Sequence, residues 1–154
     1  MENTGKLALN KLVENFKMEV IYGTEIIDGI DITTSDVSRP GLQLVGFVEY
    51  FDNRRIQIMG KAEFTYLEQF STDERTKKLE DFFKLGFPVL IITRGLQIFP
   101  EMSDFAEKYN VPLLRCEYGT SRFMSMIIRY LSEQLAPCKT RHGVLCEIYG
   151  EGIL

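Results

Sequence analysis

The chain contains 154 residues, 45% of them hydrophobic, and its formal net charge is −4 at neutral pH. That length fits one soluble domain with its own core, and the acidic balance argues against a nucleic-acid partner. The longest apolar run, residues 88–92, is far too short to cross a membrane. Because the amino terminus also lacks the pattern of a signal peptide, we expect a cytoplasmic protein without a membrane anchor.

The first half of the chain predicts helices separated by short strands. Apolar residues recur at helical spacing from Leu9 to Phe16, which predicts a helix over residues 6–17. Ser71 and Glu74 have the spacing of a capping box, so a second long helix should begin there and stop at Gly86. The other predicted elements are a strand at 19–22, strand and loop at 23–38, a short helix at 42–47, a strand at 55–59 and a helix at 61–70.

The second half alternates strand and helix more regularly. The predicted elements are a strand at 88–93, a helix at 100–110, a strand at 111–115 and a long helix that begins near Gly119. Five apolar residues are expected on the inner face of the last helix: Met124, Ile127, Ile128, Leu131 and Leu135. Strands joined by helical crossovers pair in parallel. The sequence therefore predicts an α/β fold, with a mostly parallel sheet between two layers of helices.

Two loops follow the predicted parallel strands, at the edge where such sheets bind ligands. Residues 93–95 and 118–121 could hold an anion on backbone N–H groups, assisted by Arg94 or Arg122. The simpler interpretation is that Thr120 and Ser121 cap a helix and that Gly95 serves a turn. We favour it, because neither loop has the spacing of a phosphate loop.

The titratable residues suggest no complete catalytic or metal site. The single histidine, His142, would have to serve any catalytic triad, and as a lone residue it is more often structural. The three cysteines are widely spaced, which predicts buried or incidental thiols and argues against zinc. Acidic and basic residues at 74–84 predict a solvated helix face with i,i+4 pairs. Alternating residues at 140–154 predict a strand.

Three segments together resemble the bacterial HPr kinase/phosphorylases. They are Arg39-Pro-Gly-Leu-Gln-Leu-Val-Gly46, then Arg55-Ile-Gln-Ile-Met-Gly60 with Glu63, and finally Thr140-Arg-His-Gly-Val-Leu145 with Tyr149-Gly-Glu-Gly-Ile-Leu154. Their order and spacing fit the family from about residue 9 to residue 154. The resemblance therefore covers nearly the whole chain.

The resemblance implies a bifunctional enzyme that controls carbon catabolite repression through the sugar phosphotransferase system. Family members phosphorylate a seryl residue of HPr, remove that phosphate by phosphorolysis, use ATP and magnesium, and form hexamers. The chain stops before the family's phosphate loop, so residues 1–135 are expected to be the amino-terminal domain. Residues 136–154 would be a linker and the first strands of the kinase domain. His142 matches a family active-site histidine, and it is the one catalytic position that carries over.

Two further expectations follow from this assignment. The chain alone should lack kinase activity and should bind neither nucleotide nor metal, and its last strand should associate with another strand edge. One alternative function is kept, because residues 93–121 also resemble the small DRTGG domains. On that interpretation the chain is a stand-alone ligand-sensing module.

Overall fold

The computed structural model describes residues 5–137. Its helices are α1 (Leu9–Phe16), α2 (Gly41–Leu44), α3 (Lys61–Glu68), α4 (Thr72–Phe83), α5 (Pro100–Tyr109) and α6 (Thr120–Leu135). Its strands are β1 (Leu7–Ala8), β2 (Glu19–Tyr22), β3 (Asp31–Ile32), β4 (Val37–Ser38), β5 (Ile56–Met59), β6 (Leu90–Ile92) and β7 (Leu113–Arg115). A short 3-10 helix spans Ile27–Gly29.

The main sheet has five strands in the order β2-β7-β6-β5-β4. Strands β4 to β7 are parallel to one another, and only the edge strand β2 is antiparallel to its neighbour. The parallel sheet predicted from the alternation of elements is therefore confirmed. Strands β1 and β3 form a separate two-stranded antiparallel sheet. β3 lies in the segment predicted as strand and loop, whereas β1 and this pairing were not predicted.

Both faces of the main sheet are buried, which makes the fold three layers deep. Alternate residues along a strand point to opposite faces, so Ile58 packs with α1 and α6 on one side while Met59 packs with α3, α4 and α5 on the other. The strands of such a sheet are apolar throughout, and Leu90, Ile91 and Ile92 are each fully buried. The predicted α/β class and its helical flanks are confirmed.

Most helix boundaries lie close to their predicted positions. The capping box is present, since the Ser71 hydroxyl accepts from the N–H of Glu74 and the Glu74 carboxylate accepts in return from Ser71. Helix α5 ends at Asn110 as expected, in a left-handed conformation with φ of 58°. Helix α1 begins later than predicted, because Leu7–Ala8 pairs with Asp31–Ile32 as a strand.

The inner face of α6 differs from the prediction. Ile128 was expected inside but is 38% exposed, whereas Phe123, which was not singled out, is fully buried. The buried stripe runs through residues 123, 127 and 131. A neighbouring position lies about 100° around a helix with 3.6 residues per turn, so Ile128 falls at the margin of that stripe.

None of the helices in the described part of the chain combines the length and hydropathy that a membrane span requires. The predicted strand at 140–154, together with His142, lies outside the described residues. The predicted domain boundary between residues 135 and 136 stays a prediction.

Candidate functional site at the carboxyl edge of the sheet

Polar residues gather where the parallel strands β4, β5, β6 and β7 end. Because the strands are parallel, the residues that follow them meet at one edge of the sheet. We call this group the carboxyl-edge cluster. Its members are Arg39, Gly60, Glu63, Thr93 and Thr120. Glu63, Thr93 and Thr120 are buried, although side chains of these types are usually exposed.

A two-bonded ion pair joins the end of β4 to helix α3. The Arg39 Nη2 donates to Oε1 of Glu63 at 2.7 Å, and its Nε donates to Oε2 at 3.0 Å. Such fork-like pairing fixes the orientation of both groups. Glu63 is only 7% exposed, so its charge depends on Arg39 for compensation.

The same carboxylate also caps helix α3. Oε1 of Glu63 accepts a hydrogen bond of 2.8 Å from the backbone N–H of Gly60, the residue that precedes the helix. A side chain at Gly60 has no room, because a Cβ there would collide with Oγ1 of Thr120 and lie 3.2 Å from Nη2 of Arg39. Glycine at this position therefore allows three elements to meet.

Two threonine hydroxyls link β5, β6 and α6. Thr93 donates to the carbonyl oxygen of Met59 at 3.2 Å. Its oxygen lies 2.6 Å from that of Thr120, and since the Thr93 proton is already used, Thr120 is the donor of this second bond. The chain of bonds therefore ties three segments together inside the protein.

The carboxyl-edge cluster can hold loops in place, but its buried groups are occupied by one another. The Glu63 carboxylate accepts three hydrogen bonds from Arg39 and Gly60. A buried polar network in which partners are satisfied rigidifies a structure and offers little to a ligand. We therefore regard the cluster as a positioning element, through which helix α3 and the loop after β4 are fixed to the sheet.

One of the two loops that were considered for anion binding, residues 93–95, uses its donors internally. The N–H of Arg94 donates to Tyr118 O and the N–H of Gly95 donates to Cys116 O, both at 2.8 Å. Gly95 has φ of 59°, which agrees with its predicted role in a turn. Because these donors are engaged with carbonyl groups, the loop does not form a cradle for phosphate.

The capping prediction for helix α6 needs correction. The residue that caps this helix is Gly119, and no side chain hydrogen-bonds to the helix start. Thr120 instead turns its hydroxyl toward Thr93 inside the protein. The position of Thr120 at the helix start suggested a cap, but its hydroxyl bonds to the buried hydroxyl of Thr93, the residue that follows β6.

The acidic and basic residues on α4 divide into two groups. The predicted i,i+4 pair is present between Lys77 and Asp81 at 3.4 Å, and both side chains are exposed. Glu80, by contrast, accepts bonds of 2.6 Å from Lys108 and from Tyr109 on α5. These two hydrogen bonds, of which the one from Lys108 has the larger effect, lower the pKa of Glu80 below its ordinary value. This residue joins two helices, which corrects the interpretation of the whole face as solvated.

Candidate metal ligands in the described part of the chain do not gather into one site. Residues 5–137 contain no group of three or more His, Cys, Asp or Glu side chains that could hold a metal. Cys116 is buried, and burial raises the pKa of its thiol to about 11, so the metal-binding thiolate is disfavoured. His142, the predicted catalytic residue, lies outside the described residues and stays a prediction.

Sequence reasoning missed the carboxyl-edge cluster as a site, although the signal was present. Arg39 belongs to the first segment that resembles the HPr kinase/phosphorylases, and Gly60 and Glu63 belong to the second. The structure shows that these two segments bond directly to each other. Thr93 ended the buried strand predicted at 88–93, and its burial is confirmed. Thr120 had no sequence signal of burial, since it follows Gly119 at a predicted helix start.

Comparison with solved structures shows a related fold. The chain is similar to the crystal structure of the CBS and DRTGG domains of the regulatory region of a Clostridium perfringens pyrophosphatase, complexed with its activator diadenosine tetraphosphate. The TM-score is 0.53 at 18% identity, and the match covers 79% of this chain and 45% of that one. At that identity the similarity concerns the fold alone.

Comparison with curated proteins shows closer relatives. The chain is 46% identical over 148 residues to an HPr kinase/phosphorylase of Clostridium perfringens and 43% identical over 149 residues to one of Caldanaerobacter subterraneus. These matches cover 96% and 97% of this chain, but 48% of each relative, so the chain spans about half the length of the relatives. The family model described as HPr Serine kinase N terminus matches residues 7–131. The chain therefore belongs to the family of HPr serine kinase amino-terminal domains.

Proposed function

We propose that this chain is the amino-terminal part of a bifunctional HPr kinase/phosphorylase. The observation that carries the proposal is the match to proteins of that name over 96% of the chain. The whole protein would phosphorylate a seryl residue of HPr with ATP and magnesium, and would remove that phosphate by phosphorolysis. We expect it to act in the cytoplasm as a hexamer, as the resemblance implies.

Within that enzyme, this domain would serve regulation or assembly rather than phosphoryl transfer. Transfer depends on a phosphate-binding loop, a lysine and metal ions that stabilise the moving charge. The sequence contains no G-x-x-x-x-G-K-[ST] motif. The carboxyl-edge cluster is closed on itself, and the loop at Arg94 and Gly95 donates its N–H groups to carbonyl oxygens. These features support a structural domain, with phosphoryl transfer carried out by the part of the protein that this chain does not include.

The residue that would link this chain to the chemistry is His142. Its match to a family active-site position supports a contact with the transferring phosphate, and an imidazole can bond to a phosphate oxygen. On this proposal, the chain contributes a structural domain and one residue of the active site, His142.

A chimaera tests this function directly. Residues 1–154 would be fused to the carboxyl-terminal half of the Clostridium perfringens relative and incubated with HPr, ATP and magnesium. We expect phosphoserine on HPr from the chimaera, and none above the enzyme-free control from residues 1–154 alone. In the chimaera, His142→Ala should lower both kinase and phosphorylase rates by roughly 10²–10³-fold if it stabilises developing charge.

The matched control is Glu68→Gln, at an exposed position of α3, which should leave both rates unchanged. A folded chimaera that leaves HPr unmodified would contradict the proposal, as would phosphorylation by residues 1–154 alone. Wild-type rates in the His142→Ala chimaera would return that histidine to a structural role.

The alternative, a stand-alone ligand-sensing module, rests on resemblance to the DRTGG domains. The similarity to the pyrophosphatase regulatory region concerns the fold alone. The codons after Leu154 distinguish the two functions, since a phosphate loop encoded there belongs to a kinase and a stop codon belongs to a separate module.

A further inference from the structure

Two neighbouring side chains at the start of strand β5 carry buried polar atoms without partners. Gln57 is fully buried, although side chains of this type are usually exposed. Its Oε1 has no hydrogen-bond partner among residues 5–137, and the buried Nε of Arg55 has none there either. Such atoms are rare in folded proteins, because burying an unpaired donor or acceptor is costly. A donor and an acceptor left unpaired side by side need a physical explanation.

Both residues belong to the second segment that resembles the HPr kinase/phosphorylases. Gly60 and Glu63, at the end of that segment, are accounted for by the carboxyl-edge cluster. Arg55 and Gln57 lie at the opposite end of β5, so the cluster does not explain them.

The amide of Gln57 is fixed by the backbone of Arg55. Its Nε2 donates to the Arg55 carbonyl oxygen at 3.1 Å. A reversed amide would bring two acceptor oxygens together, so this bond determines the position of Oε1. The side chain of Gln57 therefore extends back toward Arg55, and residues two apart along a strand share one face. The unpaired acceptor and the unpaired donor thus lie on the same face of the sheet.

The guanidinium of Arg55 makes only long contacts with its surroundings. Nη1 lies 3.4 Å from the Ser38 hydroxyl, Nη2 lies 3.7 Å from Oδ2 of Asp36, and Nε lies 3.6 Å from Oδ2 of Asp52. All three distances exceed the range of about 2.7–3.2 Å for an ordinary N–H···O bond. Asp52 instead bonds closely to Arg54, at 2.9 and 3.0 Å. Water commonly bridges polar groups that stand this far apart.

The charges around the two unpaired atoms select the ligand. An anion would be repelled by Oε1 of Gln57 and by the carboxylates of Asp36 and Asp52. A cation would be repelled by the guanidinium of Arg55. The ligand is therefore neutral, and it is small, because both atoms are buried. Water meets these requirements, and a buried water typically bonds to about two to four polar groups that would otherwise lack a partner.

We propose that one water molecule is bound at the start of β5, between Nε of Arg55 and Oε1 of Gln57. It accepts a hydrogen bond from Arg55 and donates one to Gln57, which lies beside Ser38 of β4 and Leu90 of β6. The water therefore connects the turn that precedes β5 with the interior of the sheet. The site does not depend on the proposed kinase function.

A crystal structure of residues 1–154 at high resolution tests the site. We expect the density of one water at about 2.7–3.2 Å from both Nε of Arg55 and Oε1 of Gln57. A direct hydrogen bond between these two atoms would overturn the proposal, as would the absence of density between them.

Nuclear Overhauser effects between water and protein protons test the site in solution. A water that stays bound longer than the protein takes to tumble gives a cross-peak of the same sign as those within the protein. We expect such a cross-peak at the Nε proton of Arg55. Arg54 is the matched control, because its Nε donates to Asp52 at 3.0 Å and its side chain is 66% exposed. The Nε proton of Arg54 should show no such cross-peak, and equal behaviour of the two arginines would contradict the proposal.

Gln57→Met tests the second ligand of the water, because methionine has a similar length but no strong acceptor. The cross-peak at Arg55 should be lost in this variant and kept in Gln43→Met, which changes a half-exposed glutamine of α2. A cross-peak that persists in Gln57→Met would show that Gln57 does not hold the water, and would overturn the bridge. If Gln57→Met does not fold, the crystallographic density and the comparison of Arg55 with Arg54 in the parent chain decide the question.

Discussion

Two neighbouring regions of this domain differ in which side chains they bury, although one short segment contributes to both. Residues 39–46 begin in the carboxyl-edge cluster, where Arg39 donates both of its bonds to a buried carboxylate. A few residues later, Leu42 and Val45 point into solvent. In the first region the polar groups are buried and hydrogen-bonded to one another, whereas in the second the apolar side chains are exposed to solvent.

The contrast between the two regions predicts which substitutions change the free energy of unfolding and which do not. A buried charge is costly unless it is paired, so the carboxyl-edge cluster is needed by the fold. An exposed leucine or valine contributes little to folding, because its surface is wet in both folded and unfolded chains. Substitutions in the cluster should therefore change the free energy of unfolding, and those at the exposed apolar residues 42–50 should leave it nearly unchanged.

The largest expected effect comes from removing the carboxylate of Glu63. In Glu63→Leu, Arg39 loses both hydrogen bonds and the N–H of Gly60 loses its partner. Removing one member of a buried ion pair lowers the free energy of unfolding by roughly 3 kcal/mol. Urea denaturation followed by circular dichroism measures the loss.

The control for that variant is Glu68→Leu, which changes the same residue type on the same helix at an exposed position. Its effect should stay within about 0.5 kcal/mol. Equal stability of the two variants would show that the carboxyl-edge cluster does not hold the fold, and would remove the distinction between the closed and open regions.

A smaller loss is expected from the glycine at the centre of the cluster. In Gly60→Ala the new Cβ collides with the Thr120 hydroxyl, whose neighbours are buried. Forcing extra volume into a packed interior lowers the free energy of unfolding by about 1–3 kcal/mol. Thermal denaturation measures the effect, and adding Thr120→Ala to the same chain should recover part of it.

Gly41→Ala sharpens this test, because Gly41 opens helix α2 and a Cβ there meets nothing within 4 Å. Reducing the freedom of the unfolded chain at such a position stabilises a protein by about 0.4–1 kcal/mol. The two substitutions should therefore have opposite signs. A destabilising Gly41→Ala would mean that the start of helix α2 is packed rather than open.

Much of the fold could be predicted from the sequence, because it depends on local patterns. Apolar runs such as residues 88–92 identified the buried strands, and alternation of strand and helix predicted parallel pairing. Strand β1 and its pairing with β3 were missed, since two residues are too short for a periodic signal. Ile128 was misplaced because five apolar positions on one helix allow more than one inner face.

The carboxyl-edge cluster could be predicted only in part. Arg39 and Glu63 are 24 residues apart, and nothing in the spacing indicates that they touch. The resemblance to a family drew attention to both segments without indicating their contact. Thr120 was interpreted as a helix cap, because that role depends on neighbours in sequence, whereas its real partner, Thr93, is near only in space.

The smallest effect concerns Cys116, which lies at the closed edge below the loop at Gly95. Its backbone N–H donates to Ile92 O and its carbonyl accepts from Gly95. Burial is the largest cause that raises the pKa of its thiol to about 11 from an ordinary value of 9.0, and the charge of Glu117 adds to it, while a hydrogen bond from the Tyr118 backbone opposes it. The thiolate is thus favoured in the unfolded chain.

A raised pKa in the folded state fixes the sign of the pH dependence. The contribution of Cys116 to stability is fully present below pH 9.0 and is lost as the pH rises toward about 11. In a Cys138→Ser, Cys146→Ser background, the parent should lose stability relative to Cys116→Ala over that interval. A constant difference between the two chains from pH 8 to pH 11 would contradict this expectation.

In the same background, the rate of reaction with a thiol reagent compares the buried carboxyl edge with the exposed residues after helix α2. Cys116 should react with a thiol reagent only at the rate of unfolding, because it is 4% exposed and protonated at neutral pH. A cysteine introduced by Val45→Cys, together with Cys116→Ala, stands at a position that is 56% exposed and should react at once. If instead Cys116 reacts as fast as the introduced thiol, the carboxyl edge opens readily, and the contrast between the two regions does not hold in solution.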